Sequence, residues 1–332
     1  MRHLSYLFVL TGLLCTMSGE PEYGFPVTQL SLNDITSCVR SGEYSGITHI
    51  SGSHYAVVHD KLGGGGLLFF NIHFREDGSV SYIFKTKPKG TSSSGGADNE
   101  GVAYFPPART LFVSAEADQS IREYDLKGRP TGRCLEIPAD MSVGDISPNK
   151  GFEALSYNRN THLFWTVTEG PLLRDAASPE LLRLQSFGDD LRPAERYLYR
   201  MDTPAAMPEQ AVHALAYVHG VSALTALDDG RLIVLEREVY VPSGSLKEKL
   251  SDSFTVTKLY VVNPACDTAH VLRKSLLHTF TTTALSSFAN YEGMCLGPVL
   301  PDGRQTLLMI PDSQNGSGGL TREYLLVLSL AP

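Results

Sequence analysis

Apolar residues alternate with polar ones in short runs that are broken by turns, a pattern that predicts strands rather than helices. Five of these segments align on one another: SGITHISGSHYAVVHD (45–60), EGVAYFPPARTLFVSAE (100–116), EALSYNRNTHLFWTVTE (153–169), SALTALDDGRLIVLE (222–236) and EGMCLGPVLPDGRQTLLMIPD (292–312). Each begins with a polar residue followed by a small one, runs through an alternating strand, turns, and returns through a second strand that ends on an acidic residue. The turns NRNTH, DDGR and PDGR have hairpin chemistry. Further strand candidates follow each hairpin: GLLFFNIHF and SVSYIFKTK, SIREYDL and GRCLEIP, LLRLQSF and RYLYRMD, TKLYVVN and HVLRKSLLHTF. After the fifth hairpin only EYLLVLSL remains, and VTQLSL near Val27 is the candidate to complete that sheet.

Four strands per repeat is the content of a propeller blade, and ring closure by the N-terminal strand would hide the sheet edges. The expected fold is therefore an all-β propeller of five blades. Six are allowed, because PAAMPEQAVHALAYVHG and YVPSGSLKEKLSDSF lengthen the last intervals. The first of these could instead carry a short helix. A two-sheet sandwich is the competing architecture, but it does not require a shared exit residue in every hairpin.

In a hairpin, the start of the first strand and the end of the second lie at the same end. Glu100 is thus expected near Glu116, Glu153 near Glu169, and Glu292 near Asp312, all at one mouth of the central channel, with Asp60 and Glu236 joining from the other two blades. Ser45 and Ser222 replace Glu at two module starts, so the carboxylates are expected on the side of Glu100, Glu153 and Glu292. Such a cluster raises its own pKa values and favours a hard cation held by oxygen ligands: Ca2+, with Mg2+ as the runner-up. The expected metal ligands are Glu100, Glu153, Glu292 and Asp312. Glu116, Glu169 or Glu236 is the expected general base, and Arg237 or Lys150 the group that steadies an anion. Asn99, Asn149, Asn290 and Asn315 offer neutral oxygens, and Arg122 is a further neighbouring charge. The plainer alternative is that these acids cap strand ends by accepting from backbone N–H groups of the next blade.

Composition narrows the field further. The chain of 332 residues is 42% hydrophobic and 19% charged, enough to build a large core, and its net charge of −8 disfavours nucleic acid as a partner. Arg2 and His3, the apolar run 4–14 and the small residues before Glu20 read as a signal peptide over residues 1–19, leaving 20–332 as one domain of an exported protein, periplasmic or secreted. Leu14 stands where a lipobox needs a small residue, so lipid anchoring through Cys15 is the lesser alternative. No later run is apolar enough to cross a membrane. Cys38, Cys134, Cys266 and Cys295 lack zinc-site spacing. No G-x-S-x-G or H-E-x-x-H occurs, and the glycine clusters lack GK[ST]. Of the ten histidines, His59 stands out because it precedes Asp60.

The segments DNEGVAYFP with VSAE, NKGFEALSY with TVTEGPL, ALDDGRLIVLERE, and NYEGMCLGPVLPDGRQTLLMIPD resemble the phytase-like family, also called "esterase-like activity of phytase". The resemblance runs from about Gly42 to Leu330. It implies a β-propeller of exported bacterial proteins that hydrolyses phosphate or other esters with the help of calcium. The implied partner is a small anionic ester or phosphoester. A propeller that binds a ligand or a protein without turnover is the alternative, and a lactonase is a close variant of the enzyme reading.

Overall fold

The computed structural model describes residues 23–89, 98–267, 271–319 and 321–331. They form five four-stranded antiparallel sheets, so the fold is a five-bladed β-propeller. The first blade comprises Tyr44–Ser51, His54–His59, Leu67–Phe74 and Val80–Thr86. The second comprises Asn99–Phe105, Thr110–Ala115, Ser120–Asp125 and Pro130–Cys134. The third comprises Phe152–Asn158, Leu163–Thr168, Leu181–Gly188 and Pro193–Arg200. The fourth comprises Ala214–Ala226, Leu232–Pro242, Phe254–Val262 and Lys274–Thr283. The fifth comprises Asn290–Val299, Gln305–Asp312 and Tyr324–Leu330, and its outermost strand is the N-terminal Val27–Asp34.

The expected closure is therefore present: Val27 pairs with Leu330 and Asp34 with Tyr324, which joins the two ends of the chain in one sheet. No sixth blade is formed among the described residues. The long intervals hold the helices Pro208–Val212 and Leu246–Asp252 together with extensions of the fourth blade's hairpin, whose strands reach 13 and 11 residues.

Five apolar clusters hold the ring, one at each junction between neighbouring blades. Val58, Leu67, Val113 and Tyr124 join the first blade to the second, and Phe112, Phe152, Phe164 and Phe187 join the second to the third. Trp165, Leu184, Val221 and Val234 lie between the third and fourth. Leu235, Leu259, Tyr291 and Met309 join the fourth to the fifth, and Tyr55, Phe70, Leu308 and Ile310 join the fifth to the first. Each junction removes large aliphatic and aromatic side chains from water, about 1.5–3 kcal/mol for each one fully buried. The four described cysteines are free, with Cys295 buried and Cys38 and Cys134 exposed. No helix among the described residues is long and apolar enough to cross a membrane.

Candidate functional site

The innermost strand of every blade is interrupted by a bulge at the polar–small pair. The pairing register skips between Tyr44 and Ile47, Asn99 and Val102, Phe152 and Ala154, Val221 and Ala223, and Tyr291 and Gly293. A bulge re-aims side chains and bends the strand. Here it falls on Ser45, Glu100, Glu153, Ser222 and Glu292, all at most 8% exposed. The following residue is small because the inner strands approach one another there. A Cβ on Gly46 would stand 2.4 Å from the Glu100 carbonyl oxygen, and one on Gly101 2.6 Å from the Leu155 nitrogen.

Two residues further along each strand the period of two brings the same face round again. Ile47, Val102, Leu155, Leu224 and Met294 occupy these positions, at most 5% exposed, and together with the acidic layer they line a narrow void. Beyond this apolar collar, toward the opposite mouth, opens a cavity of about 500 Å3 lined in part by His49, Tyr104, Tyr157, Asn158 and Arg159.

The second layer of the mouth comes from the residue of each hairpin's return strand that stands opposite the position two before the bulge residue. Thr168 pairs with Phe152, so the next residue, Glu169, lies opposite Gly151, and its N–H donates to the Gly151 carbonyl at 2.8 Å. By the same register, Asp60 lies opposite Glu43 and Glu116 opposite Asp98, and Asp312 pairs with Asn290. In the fourth blade Glu236 pairs with Val221, and the position facing the mouth is taken by Arg237, which pairs with Gly220. The expected place of Glu236 is thus corrected by one residue, and because side chains alternate along a strand, that residue decides which face it takes. Glu236 points instead to the outer strands, accepting from Tyr199 Oη at 2.6 Å, the Asp202 N–H at 2.9 Å and Lys274 Nζ at 2.5 Å.

Arg237, 6% exposed, is the central cation of the cluster. Its Nη1 donates to Glu292 Oε1 at 2.7 Å and Asn290 Oδ1 at 2.7 Å, and its Nη2 to Glu169 Oε1 at 2.9 Å. Lys150 Nζ lies 2.9 Å from Glu169 Oε2. Arg122 is not part of this set; it pairs with exposed Asp118. Glu116 Oε1 accepts the Gly151 N–H of the next blade at 2.6 Å, which is the capping role foreseen as the plain alternative. Asp312 accepts the Gln314 N–H at 2.6 Å.

Burial dominates the electrostatics. It pushes Glu100 well above the usual carboxylate range, helped by the Glu292 charge and opposed by a hydrogen bond from Ser45. Glu153 is raised by burial and then by Glu100 and Glu169. Glu292 is pushed up to about 8 by burial although Arg237 pulls it down, and burial raises Asp312 to about 7. Burial raises Glu116 as well. Burial alone would lower Arg237, but the Glu292 and Glu169 charges hold it above its ordinary value. Asp60 behaves in the opposite way: burial would raise it, yet His59 and Lys61 leave it below the usual range.

A carboxylate cluster able to hold a cation is present at Asp60, Asp98 and Glu100, whose nearest oxygens all lie within 4.8 Å of one another. Lys61 Nζ bridges it, 2.8 Å from Asp60 Oδ2 and 2.6 Å from Asp98 Oδ1. Of the four expected metal ligands this grouping includes Glu100; Glu292 is occupied by Arg237, and Glu153 and Asp312 stand elsewhere in the mouth. Asp98 was not foreseen. It precedes the module start and carries no repeat signal, although the run DNE that contains it is visible in the sequence.

The chain matches the family described as "Phytase-like: Esterase-like activity of phytase" over residues 39–314, and it belongs to that family. Among solved structures it is similar to a gluconolactonase from Xanthomonas campestris, at 11% identity and TM-score 0.41, covering 94% of this chain and 96% of that one. It is also similar to a periplasmic gluconolactonase from Pseudomonas aeruginosa, at 13% identity and TM-score 0.37, covering 82% of each chain. Neither likeness bears on the activity of this chain. No curated protein matches it.

Proposed function

We propose that the protein is an exported, metal-dependent hydrolase of ester or phosphoester bonds whose site is the carboxylate-rich mouth of the propeller channel. The observation that carries this reading is the stack of buried acids on an apolar collar, where Glu100, Glu153, Glu292 and Asp312 all have raised pKa values. Buried carboxylates with raised pKa values gathered in one cleft are characteristic of functional sites, which supports this reading. The donor set is all oxygen, which suits Ca2+ and next Mg2+. Asp60, Asp98 and Glu100 are the residues that would hold the ion, with exposed Lys61 swinging aside. A cation there would act as a Lewis acid on an ester oxygen.

The chain's own groups supply the remaining parts. Glu153 has no hydrogen-bond partner among the described residues and is the acid free to carry a proton. Arg237 is a fixed positive charge held by Glu169 and Glu292, suited to an anionic substrate arriving at the mouth. Glu116 and Glu169, expected as bases, act in this reading as positioning groups, since both are engaged at the blade junctions. A small anionic ester or phosphoester is the proposed substrate class.

A ligand-binding propeller without turnover is the second reading, and the engagement of Glu116, Glu169 and Glu236 by neighbouring groups favours it. Turnover decides between the two. A panel of phosphate esters, carboxylate esters and lactones is incubated with the chelator-treated protein, with and without added Ca2+. Hydrolysis that EDTA abolishes and Ca2+ restores is expected. Silence across the panel with Ca2+ bound would overturn the enzyme reading. Export is checked separately by N-terminal sequencing of the mature protein, with a start after residue 19 expected.

A further inference from the structure

Beside the acidic mouth, where the second blade meets the segment leading into the third, lies a cavity of about 260 Å3. Asp98 and Glu116 form its polar end, and Ala117, Val143, Ile146 and Pro148 contribute an apolar wall. Asp98 is also one of the residues that would hold the cation, so the cavity and the cation site share a side chain. Glu116 is kept beside it by its own N–H, which donates to the Asp98 carbonyl at 2.7 Å. The apolar wall is pinned to the fold. Asp140 takes Arg196 at 2.6 Å and Arg183 at 3.1 Å. Met141 and Ile146 are buried in the junction between the second and third blades, and Ile146 also bridges to Leu172. Val143 stands between these anchors and is still 54% exposed. An aliphatic side chain is thus held at the cavity by a fixed segment instead of joining the core. Among the described residues that line the cavity there is no lysine or arginine. The lysines of the mouth are engaged with carboxylates, Lys61 with Asp60 and Asp98, and Lys150 with Glu169.

We propose that this cavity is a substrate subsite that takes an uncharged aliphatic chain of a few carbons, while the oxyanion head joined to that chain, a carboxylate or a phosphate, meets the cation. The inference rests on the reading of the mouth as a cation-assisted ester site, and it narrows the substrate to an ester with one polar head and one apolar arm. A second phosphate group placed here would face Asp98 and Glu116 with no counter-charge in the cavity, so a polyphosphorylated polyol is disfavoured. An aliphatic chain covers the exposed surface of Val143 and Pro148 and releases water from it. A preformed pocket that is apolar except for a few polar groups at one end is the usual form of a small-molecule site. Val143 is then a specificity-determining residue, since it touches the chain and not the reacting atoms.

The test is binding to the full chain in Ca2+, measured by calorimetry. Acetate, butyrate and hexanoate form one series. Inorganic, butyl and hexyl phosphate form a parallel one that reports which head the cation takes. Affinity is expected to rise about tenfold from butyrate to hexanoate, or from butyl to hexyl phosphate, the gain for burying two methylenes. Val143→Ser should shrink that rise, and Ala117→Trp, which fills the cavity, should abolish it. Both should leave the affinity for acetate and inorganic phosphate unchanged. Ala117 and Val143 are exposed, so neither variant threatens the fold. Affinity that stays flat along both series, absence of binding, or a rise that both variants keep would overturn the subsite. Hydrolysis of the matching nitrophenyl esters is read separately. Its absence would remove the enzyme reading, while the dependence on chain length would still decide for or against the subsite.

Discussion

Arg237 occupies the place that the repeat assigns to a carboxylate in the other four blades, and it gives the acidic mouth a buried counter-charge beside the more exposed Lys61 and Lys150. Replacing it with Met would leave Glu169 and Glu292 facing each other in a buried site. A loss of about 3–5 kcal/mol in urea unfolding at neutral pH is expected. Added Ca2+ should recover part of that loss, since a bound cation replaces the missing charge. The exchange of Arg237 for Glu236 also shows where reading by residue type stops. The run LERE offers two acids and one base in a row, and only the register with Gly220 and Val221 says which of them faces the mouth. Asp98 is not legible in the repeat for a related reason: it acts through its place beside Asp60 and Lys61, a contact with Lys61 across 37 residues of chain.

At the scale of the element, the hairpins were legible because their turns carry distinctive chemistry. Leu227 and Arg231 close the DDGR turn as Leu300 and Arg304 close PDGR, with Gly230 and Gly303 at positive φ in both. The bulges were legible only as an unexplained habit, a polar residue followed by a small one. Five strands crowding one axis give that habit its physical reason. Gly46→Ala is therefore expected to cost about 1–3 kcal/mol, because its Cβ would meet the Glu100 carbonyl at 2.4 Å. Gly24→Ala, with open space around it, should be close to neutral in the same denaturant titration. The intervals that left room for a sixth blade proved to be strand extensions and short helices, an outcome that periodicity alone does not distinguish from a divergent blade.

At the scale of the molecule, the ring is closed by a strand taken from the other end of the chain. Removing residues 20–34 would leave Tyr324–Leu330 as an open edge, and an unpaired edge of that composition invites association. A lower thermal midpoint and higher-order species in size-exclusion chromatography are expected. The acidic mouth also couples the whole fold to pH. Glu292 and Asp312 titrate near 8 and 7 in the folded protein but near 4.5 and 3.8 when unfolded, so the folded state binds more protons between these values. Stability of the metal-free protein should therefore fall as pH rises from about 4 to 8. Added Ca2+ should raise the thermal midpoint more at pH 8 than at pH 5.

The same linkage gives the most direct test of the mouth as a cation site. Raised carboxylates must lose their protons to bind a metal, so binding and proton release are one event. Ca2+ is titrated into the chelator-treated protein by calorimetry at pH 7 in two buffers of different ionisation enthalpy. Saturable binding with net proton release, lost in Glu100→Gln, is expected. No binding, or binding that releases no protons and persists unchanged in Glu100→Gln, would contradict a cation site in the mouth.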